Sequence, residues 1–297
     1  DTSTASQFTA QVFERTANAN ITTVVTVGTA GWSSNIEWQN ADVEWSEFVA
    51  GSIFQVGLGI NNAMISTDSY QSSVSVKEQG EEIILDGSKA GIAFAKDAKF
   101  FLISASNESG ECDLYLVNKD QKGFKLEDKE YMGLKGMPFS QINFSNCKIS
   151  ASQKLGGHNY SINYQSLIDS SRIGMSALAL GVCEAVLDYV VPYTNERVAF
   201  DEPISNRQSV AFLIADMAIE TEALRLMVYK SSALKDLDED FHKQASLTYR
   251  FATHHGMKIG TDGVQLLGGH GYTHEHPVEL WYRNLRAIGI FEGGAGV

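Results

Sequence analysis

Two kinds of side chain near the end of the sequence could carry chemistry, a carboxylate and a group of histidines. Glu292 follows the apolar residues Ile290 and Phe291, and burial beside them would raise the pKa of its carboxyl group and make it a stronger base. The ordinary alternative is a carboxylate on a surface turn, because acidic side chains are mostly exposed. Three side chains of the same segment have the chemistry of metal ligands: His270, His274 and His276. Glycine and proline interrupt that segment and no cysteine lies near it, so we predict no metal site there.

Residues further upstream allow both a binding role and a purely structural one. The guanidinium group of Arg197 has the fork geometry that pairs with phosphate oxygens. Gly268 and Gly269 follow a predicted helix, where glycine ordinarily ends the helix. Asp169, with the two serines after it, is a good helix start, and Arg172 would then lie solvated in the first turn. Residue types alone leave these alternatives open.

Composition excludes several classes of partner. The chain has 297 residues, of which 43% are hydrophobic, and a formal net charge of −13. No run of Lys and Arg occurs, so binding to nucleic acid or to an anionic membrane surface is not expected. No stretch reaches the roughly 18 apolar residues of a membrane span, and no signal peptide is recognisable. The scattered cysteines, Cys112, Cys147 and Cys183, indicate reduced core thiols rather than a disulfide framework.

Short runs of alternating apolar and polar residues between about 70 and 150 predict antiparallel strands. The clearest runs are Ile83–Leu85, Phe100–Ile103, Leu114–Val117 and Ile142–Phe144. Turns or loops are predicted between them at Asp86–Ser88, Asn107–Gly110, Lys122–Gly123 and Gly156–Gly157. This part of the chain is therefore predicted to be a compact β domain.

At about residue 165 the spacing changes to the 3.6-residue period of helices. One broad packing face is formed by seven residues: Val210, Leu213, Ile214, Met217, Thr221, Leu224 and Val228. Flanking helices are predicted at about 169–195 and 239–267, and Pro192 is expected to kink the first of them. At the start of the chain, helices are predicted near 5–20 and 40–49, on either side of an apolar segment at 21–27.

Linked motifs near the C-terminal end identify a family. They run from Asp262 to Thr273, from Pro277 to Glu279, from Tyr282 to Asn284 and from Phe291 to Gly293. In order and spacing they closely resemble the pattern of the acyl-CoA dehydrogenase family. Upstream segments are similar to further motifs of that family: Asn195–Phe200, Pro203–Ile204, Gln208, Ala215–Ala218, Leu85–Lys89 and Asp97–Phe100.

The resemblance implies an α+β fold, in which helical segments flank an antiparallel β domain and a helical bundle completes the chain. The expected domains are a partial N-terminal helical domain at 1–52, the β domain at 53–162 and the C-terminal helical bundle domain at 163–297. The first helices of the N-terminal domain are expected to be missing, and both ends of the sequence to be incomplete. The bundle is expected to build a homo- or hetero-oligomer, as a dimer of dimers.

The resemblance also implies a reaction and the residues that perform it. In this family a carboxylate removes the α-proton of an acyl-CoA thioester while a hydride leaves the β-carbon for FAD, and Glu292 matches that base. The CoA portion is contacted by a pair that Asp169 and Arg172 match. Electrons would pass to an electron-transfer flavoprotein, in the bacterial cytoplasm or the mitochondrial matrix. FAD is held in the family by positions that match Arg197, Phe200 and Gln208 and, from a neighbouring subunit, Gln265, Gly268 and Gly269.

The sequence departs from the family pattern around the flavin ring. Asn61 to Asp68 stand where the family has a Thr-Glu-Pro segment that ends in Gly-Ser-Asp, Gly91 and Ala93 replace an aromatic and a hydroxyl residue, and Gly294 to Gly296 replace hydroxyl and amide residues. These losses would weaken flavin binding, at roughly 1 kcal/mol for each net hydrogen bond and somewhat more for stacking. Two functions stay open: a flavin dehydrogenase with an altered pocket, or a non-catalytic subunit that assembles with an active homologue. The isolated chain is predicted to hold FAD substoichiometrically.

Overall fold

A computed structural model describes the backbone of residues 56–59 and all atoms of residues 72–155 and 163–292. Several sequence predictions fall outside these ranges. They are the helices near 5–20 and 40–49, the loop at Gly156–Gly157, the segment Asn61–Asp68 and the glycine-rich residues Gly293–Gly296.

Seven of the described strands form one mixed sheet, in which β5 pairs only with β4. The strands are β1 (Val56–Gly59), β2 (Val74–Gln79), β3 (Glu82–Ala93), β4 (Phe100–Ser106), β5 (Cys112–Asn118), β6 (Phe124–Lys129) and β7 (Phe139–Ser150). Most neighbours are antiparallel, as predicted, but β4 pairs in parallel with β1 and with one residue of β2. All four predicted strand runs lie in strands, and the predicted turns at Asn107–Gly110 and Lys122–Gly123 connect β4 to β5 and β5 to β6.

The predicted turn at Asp86–Ser88 is wrong, because those residues lie inside β3. The register between β3 and β7 shifts between Leu85 and Gly87, so an irregular pairing takes the place of a turn. Gly87 has φ of 128° and lies so close to the backbone of Ser73 that a Cβ atom would collide with it. The residue types that suggest a turn here therefore serve a bulge within a long strand.

The helical part consists of four long helices and a short hairpin. The helices are α1 (Tyr164–Glu196), α2 (Gln208–Asp236), α3 (His242–Leu267) and α4 (Val278–Ile288); the hairpin pairs β8 (Val198–Ala199) with β9 (Glu202–Pro203). Asn163 caps α1 by accepting a hydrogen bond from the amide of Ser166. The predicted start at Asp169 is therefore wrong, because Asp169 lies in the second turn of the helix. Gly268 ends α3 as predicted, with a positive φ of 58°.

The four helices share one apolar core. The predicted face of α2 packs into it, with Met217, Thr221, Leu224 and Val228 buried. By length and composition α1 is the one described helix that could cross a membrane, and half of its most apolar window is buried inside the structure. That burial is the pattern of a central bundle helix, which passes the same test of length and hydropathy.

The sheet and the bundle meet where the segment before β7 lies against α4. The side-chain oxygen of Asn284 accepts a hydrogen bond from the amide of Leu134 at 2.8 Å. Gly133 packs directly on the backbone of Arg283, with no room for a Cβ atom. The rings of Phe139 and Phe291 lie 5.7 Å apart. These contacts place the residues after α4 between the sheet and the helices.

Candidate active site

Glu292 lies in a tight turn directly after α4, and its side chain is only 4% exposed. Its φ of 53° lies in the left-handed region, which is uncommon for a residue with a side chain and persists only when the surroundings hold it. The hydroxyl group of Tyr249, on α3, lies 2.8 Å from the carbonyl oxygen of Ile288 and 2.6 Å from that of Phe291. Tyr249 thus fixes the turn that carries the carboxyl group.

Two neighbours on α1 contact Glu292 directly. The hydroxyl group of Ser171 donates a hydrogen bond of 2.7 Å to Oε1, and Nη2 of Arg172 donates one of 3.3 Å to the backbone carbonyl oxygen. Burial raises the pKa of Glu292 to about 7, while the Ser171 hydrogen bond and the Arg172 charge oppose the rise. The carboxyl group is therefore set to exchange a proton near neutral pH, as general acid–base chemistry requires. The predicted burial of Glu292 is confirmed, and a position on an exposed surface turn is ruled out.

Asp169 and Arg172 are buried, at 1% and 9% exposed. The interpretation of Arg172 as a solvated first-turn residue is therefore wrong. Nη1 of Arg172 contacts Oδ1 of Asp169 at 3.4 Å and Oγ of Ser246 at 3.0 Å. His242 lies on the other side of Asp169, with Nδ1 at 2.8 Å from Oδ2. In the structure Asp169 and Arg172 contact protein groups around Glu292, and their contact with CoA stays a prediction.

The first predicted group of cofactor-binding residues lies on and beside the β8–β9 hairpin. Phe200 and Asp201 form its tip with φ of 59° and 68°, as in a two-residue turn of type I′. The Phe200 ring is 87% exposed and the guanidinium group of Arg207 lies over it, 5.0 Å from the ring centre. Arg197 and Gln208 are also exposed. These side chains can reach a ligand or a second chain, since few protein contacts hold them.

The second predicted group lies at the end of α3, where Gln265, Gly268 and Gly269 are all exposed. Histidine and tyrosine side chains hold this turn from behind: Nδ1 of His270 lies 3.0 Å from the hydroxyl group of Tyr193. His276 is paired similarly with the hydroxyl group of Tyr189, at 2.7 Å, and its ring stacks on that of His270. His274 instead lies 3.2 Å from Glu279. Within residues 72–155 and 163–292 no cluster of three or more histidine, cysteine, aspartate or glutamate side chains could hold a metal ion.

The structure explains one of the departures from the family pattern. Gly91 has φ of 66° and lies in the second register shift between β3 and β7, where a side chain would be strained. On the core side of the same strand, Lys89 is fully buried and donates a hydrogen bond of 2.9 Å to Ser104. Burial lowers the pKa of Lys89 to about 7, against a smaller opposite effect of Cys112. A buried lysine was not predicted, because the alternation of β3 is interrupted by the two bulges.

Several residues around the carboxylate were not predicted from the sequence: Ser171, His242, Ser246 and Tyr249. Each lies on a helix whose apolar packing face indicates a helix but no particular site, and none belongs to the motif that contains Glu292. Ser171 and Arg172 are adjacent in α1, and only the packed bundle brings Glu292 to both of them. No local signal in the sequence could have identified the three α3 residues His242, Ser246 and Tyr249 as part of the site.

Several known proteins with a similar sequence or fold are named acyl-CoA dehydrogenases. Residues 162–297 match the family described as acyl-CoA dehydrogenase, C-terminal domain, and residues 62–147 match acyl-CoA dehydrogenase, middle domain. The probable acyl-CoA dehydrogenase FadE25 of Mycobacterium tuberculosis is 33% identical over 235 residues, which cover 76% of this chain and 60% of that protein. The mitochondrial short-chain specific acyl-CoA dehydrogenase of Homo sapiens is 32% identical over 234 residues, covering 76% of this chain and 57% of that protein.

Solved structures agree with the sequence comparison. Butyryl-CoA dehydrogenase from Megasphaera elsdenii has a TM-score of 0.73 at 28% identity, with 82% of this chain and 65% of that chain covered. A chain from the structure of the electron transferring flavoprotein of Acidaminococcus fermentans has a TM-score of 0.75 at 29% identity, with 83% and 66% covered. The chain thus spans less than two thirds of the length of these relatives.

Proposed function

Because the chain belongs to the acyl-CoA dehydrogenase family, we propose that it removes two hydrogens from the α- and β-carbons of an acyl-CoA thioester, with Glu292 as the base. The observation that carries this proposal is the buried carboxyl group of Glu292, whose pKa burial raises to about 7. A base with such a pKa is half ionised near neutral pH, which suits a general base that works at that pH.

The residues around Glu292 support both protonation states that the reaction needs. Before the reaction, the Ser171 hydrogen bond and the positive charge of Arg172 stabilise the carboxylate. After proton transfer, burial favours the neutral acid and keeps water from the proton. FAD, when bound, supplies the acceptor for the hydride from the β-carbon. The electron acceptor proposed for the reduced cofactor is an electron-transfer flavoprotein.

The residues proposed to hold FAD fit an extended, charged ligand at the surface. Arg197 would pair with the pyrophosphate, with the exposed ring of Phe200 and the amide of Gln208 beside it. At the end of α3, Gln265 and the two exposed glycines after it leave a backbone that a ligand can approach closely. In the family, these two groups belong to FAD sites that are completed by different subunits. The exposure of both groups in this chain supports the same arrangement.

An apolar stripe on α2 supports assembly with a second chain. Phe212, Ile219 and Leu226 are spaced seven residues apart and are 60%, 67% and 61% exposed, on the face turned away from the apolar core. Exposed large apolar side chains in a row along one helix are typical of an oligomer interface. We expect a homo- or hetero-oligomer in solution. Light scattering that finds a monodisperse 32.5 kDa monomer would contradict it.

A second function, a non-catalytic subunit that pairs with an active homologue, is favoured by the backbone at Gly91. Gly91 lies at an irregular pairing of β3 with β7, and its left-handed conformation suits glycine. The difference from the family is therefore more than the loss of the aromatic ring that packs on the flavin, because the strand itself differs. Under this alternative the isolated protein loses its FAD on dialysis. An absorption spectrum with a flavin-to-protein ratio near one, which bleaches when acyl-CoA is added, would instead support self-sufficient dehydrogenation.

The main proposal is tested with Glu292→Gln. The amide keeps the shape and can still accept the Ser171 hydrogen bond, but it cannot take the proton, so turnover is expected to fall by roughly 100-fold or more. Binding of a CoA ester should be nearly unchanged. Glu275→Gln, at an exposed carboxylate, is the matched control and should retain full turnover. Equal turnover of Glu292→Gln and wild type would refute the assignment of the base.

The compartment is proposed by analogy alone. The relatives compared above include a bacterial and a mitochondrial protein, so we propose the bacterial cytoplasm or the mitochondrial matrix. Fractionation of the source cells decides between them.

A further inference from the structure

A chain of polar contacts runs from the surface of α3 to the turn that carries Glu292. His242 is the first residue of α3, and its side chain is half exposed. Its Nδ1 lies 2.8 Å from Oδ2 of Asp169, which is buried in α1. Arg172 contacts Oδ1 of the same carboxylate and the backbone carbonyl oxygen of Glu292. We propose that His242 is a positioning residue that holds Glu292 in place through Asp169 and Arg172.

The two oxygens of Asp169 are held with unequal strength. Oδ2 is the closer, at 2.8 Å from both Nδ1 of His242 and Nε2 of Gln165, whereas Oδ1 lies 3.4 Å from Nη1 of Arg172. We assign the hydrogen in this contact to Nδ1 of His242, because a buried carboxylate accepts hydrogen bonds and donates none; Nε2 of Gln165 also lies 2.8 Å from the same nitrogen. His242 and Gln165 therefore draw the carboxylate away from Arg172, and the distance to Arg172 is long for an ion pair.

This sharing leaves Arg172 available to other acceptors. Nη1 donates to Ser246 at 3.0 Å and Nη2 to the carbonyl oxygen of Glu292 at 3.3 Å. If His242 no longer donated, the buried carboxylate would need compensation and would draw Arg172 closer. The contact from Arg172 to Glu292 is already long and would be the first to break.

The turn at Glu292 depends on such contacts, because its left-handed backbone conformation costs free energy that the surroundings must offset. A small displacement of a base costs rate rather than binding, since proton transfer requires close approach. The inference rests on the proposed function for its effect on rate. Its effect on the turn can be measured without any activity.

The experiment compares two substitutions at His242. His242→Leu removes the donor, whereas the side-chain nitrogen of His242→Asn can occupy the position of Nδ1 and donate to Asp169. We expect His242→Leu to lower kcat about tenfold with KM changed less than twofold, and His242→Asn to retain most of the rate. His254→Leu, at an exposed histidine further along the same helix, is the control and should match wild type.

The second readout is hydrogen–deuterium exchange of a peptide that includes Ile290 and Phe291, whose amides donate to Ala287 and Ile288 in the turn. His242→Leu should exchange several-fold faster there, and His242→Asn and His254→Leu should not. If His242→Leu does not fold, His242→Ala takes its place. A wild-type protein without turnover would refute the proposed function, and exchange would then decide the inference alone. Three results would overturn the inference. The first is unchanged exchange in His242→Leu, and the second is faster exchange without loss of kcat in an active enzyme. The third is an equal loss of kcat in the leucine and asparagine variants.

Discussion

Replacing Glu292 by glutamine is expected to change how protein stability depends on pH. In the folded protein, burial raises the pKa of Glu292 from 4.5 to about 7, while in the unfolded chain it has its ordinary value. Below pH 4.5 both states are protonated, and the carboxyl group has no pH-dependent effect. As the pH rises towards 7, the unfolded chain releases its proton first, so the folded state loses stability relative to the unfolded state.

The magnitude follows from the two pKa values. At about 1.4 kcal/mol for each pKa unit, the difference between 4.5 and about 7 corresponds to a loss of about 3 kcal/mol once the pH exceeds 7. Glutamine does not titrate and can keep the Ser171 hydrogen bond. The variant should therefore match wild type near pH 4.5 and be more stable by about 3 kcal/mol at pH 8.

Urea unfolding at a series of pH values measures this difference directly, because the contributions of other titrating groups are common to both proteins and cancel. Glu275→Gln, at an exposed carboxylate, is the control for the chemical change from carboxylate to amide. A stability difference for Glu292→Gln that is flat from pH 4.5 to 8 would show that Glu292 titrates alike in both states. A variant that gains stability towards low pH would reverse the sign and refute the burial argument.

Two further predictions concern single contacts of the site. Ser171→Ala removes a hydrogen bond to the carboxylate of Glu292 that is worth roughly 1.5 kcal/mol. The acid limb of the pH–rate profile, which reports Glu292, should therefore move up by about one pH unit. An unchanged limb would show that the hydrogen bond does not favour the ionised form. Gly133→Ala places a methyl group against the backbone carbonyl group of Arg283, whose carbon is 2.7 Å away, and should lower the free energy of unfolding in urea by about 1–3 kcal/mol. Gly136→Ala, with no atom within 4 Å, is the control and should change little. Equal effects of the two substitutions would refute the close packing.

Elements that repeat a simple pattern could be predicted from the sequence, and elements that bend could not. The packing face of α2 follows from periodicity that the structure retains. The apolar runs in β4 and β5 form strands as predicted, but most of their residues are buried, so these two strands do not alternate between a buried and an exposed face. In β3, the sequence predicts a turn at Gly87 and the loss of an aromatic side chain at Gly91. In the structure both glycines lie at bulges in one long strand. Glycine signals a special backbone conformation without indicating which one.

The start of α1 shows the same limit for helices. Asp169 followed by two serines is a good capping sequence, but Asn163 caps the helix earlier, and the apolar residues Tyr164, Leu167 and Ile168 between them are buried. Asp169 is thereby carried into the interior, where His242 and Arg172 contact its carboxylate. The sequence predicted that Glu292 is buried, but not these partners, because they come from elements that only packing brings together.

The proposed site consists of two halves, one for the base and one for the cofactor, and the two depend on different parts of the structure. The base half, Glu292 with Ser171 and Arg172, is buried and is assembled within one chain from α1, α3 and the turn after α4. The cofactor half, around Arg197 and Gln265, is exposed on a hairpin and on a helix end. The properties of the base should therefore survive in a single chain without flavin, so the pH dependence of stability is expected even if dialysis removes all FAD. Flavin binding, in contrast, should depend on assembly, because exposed side chains gain their desolvation and their second set of contacts only from another chain. Loss of both properties together on dilution would show that the base half also needs the partner chain.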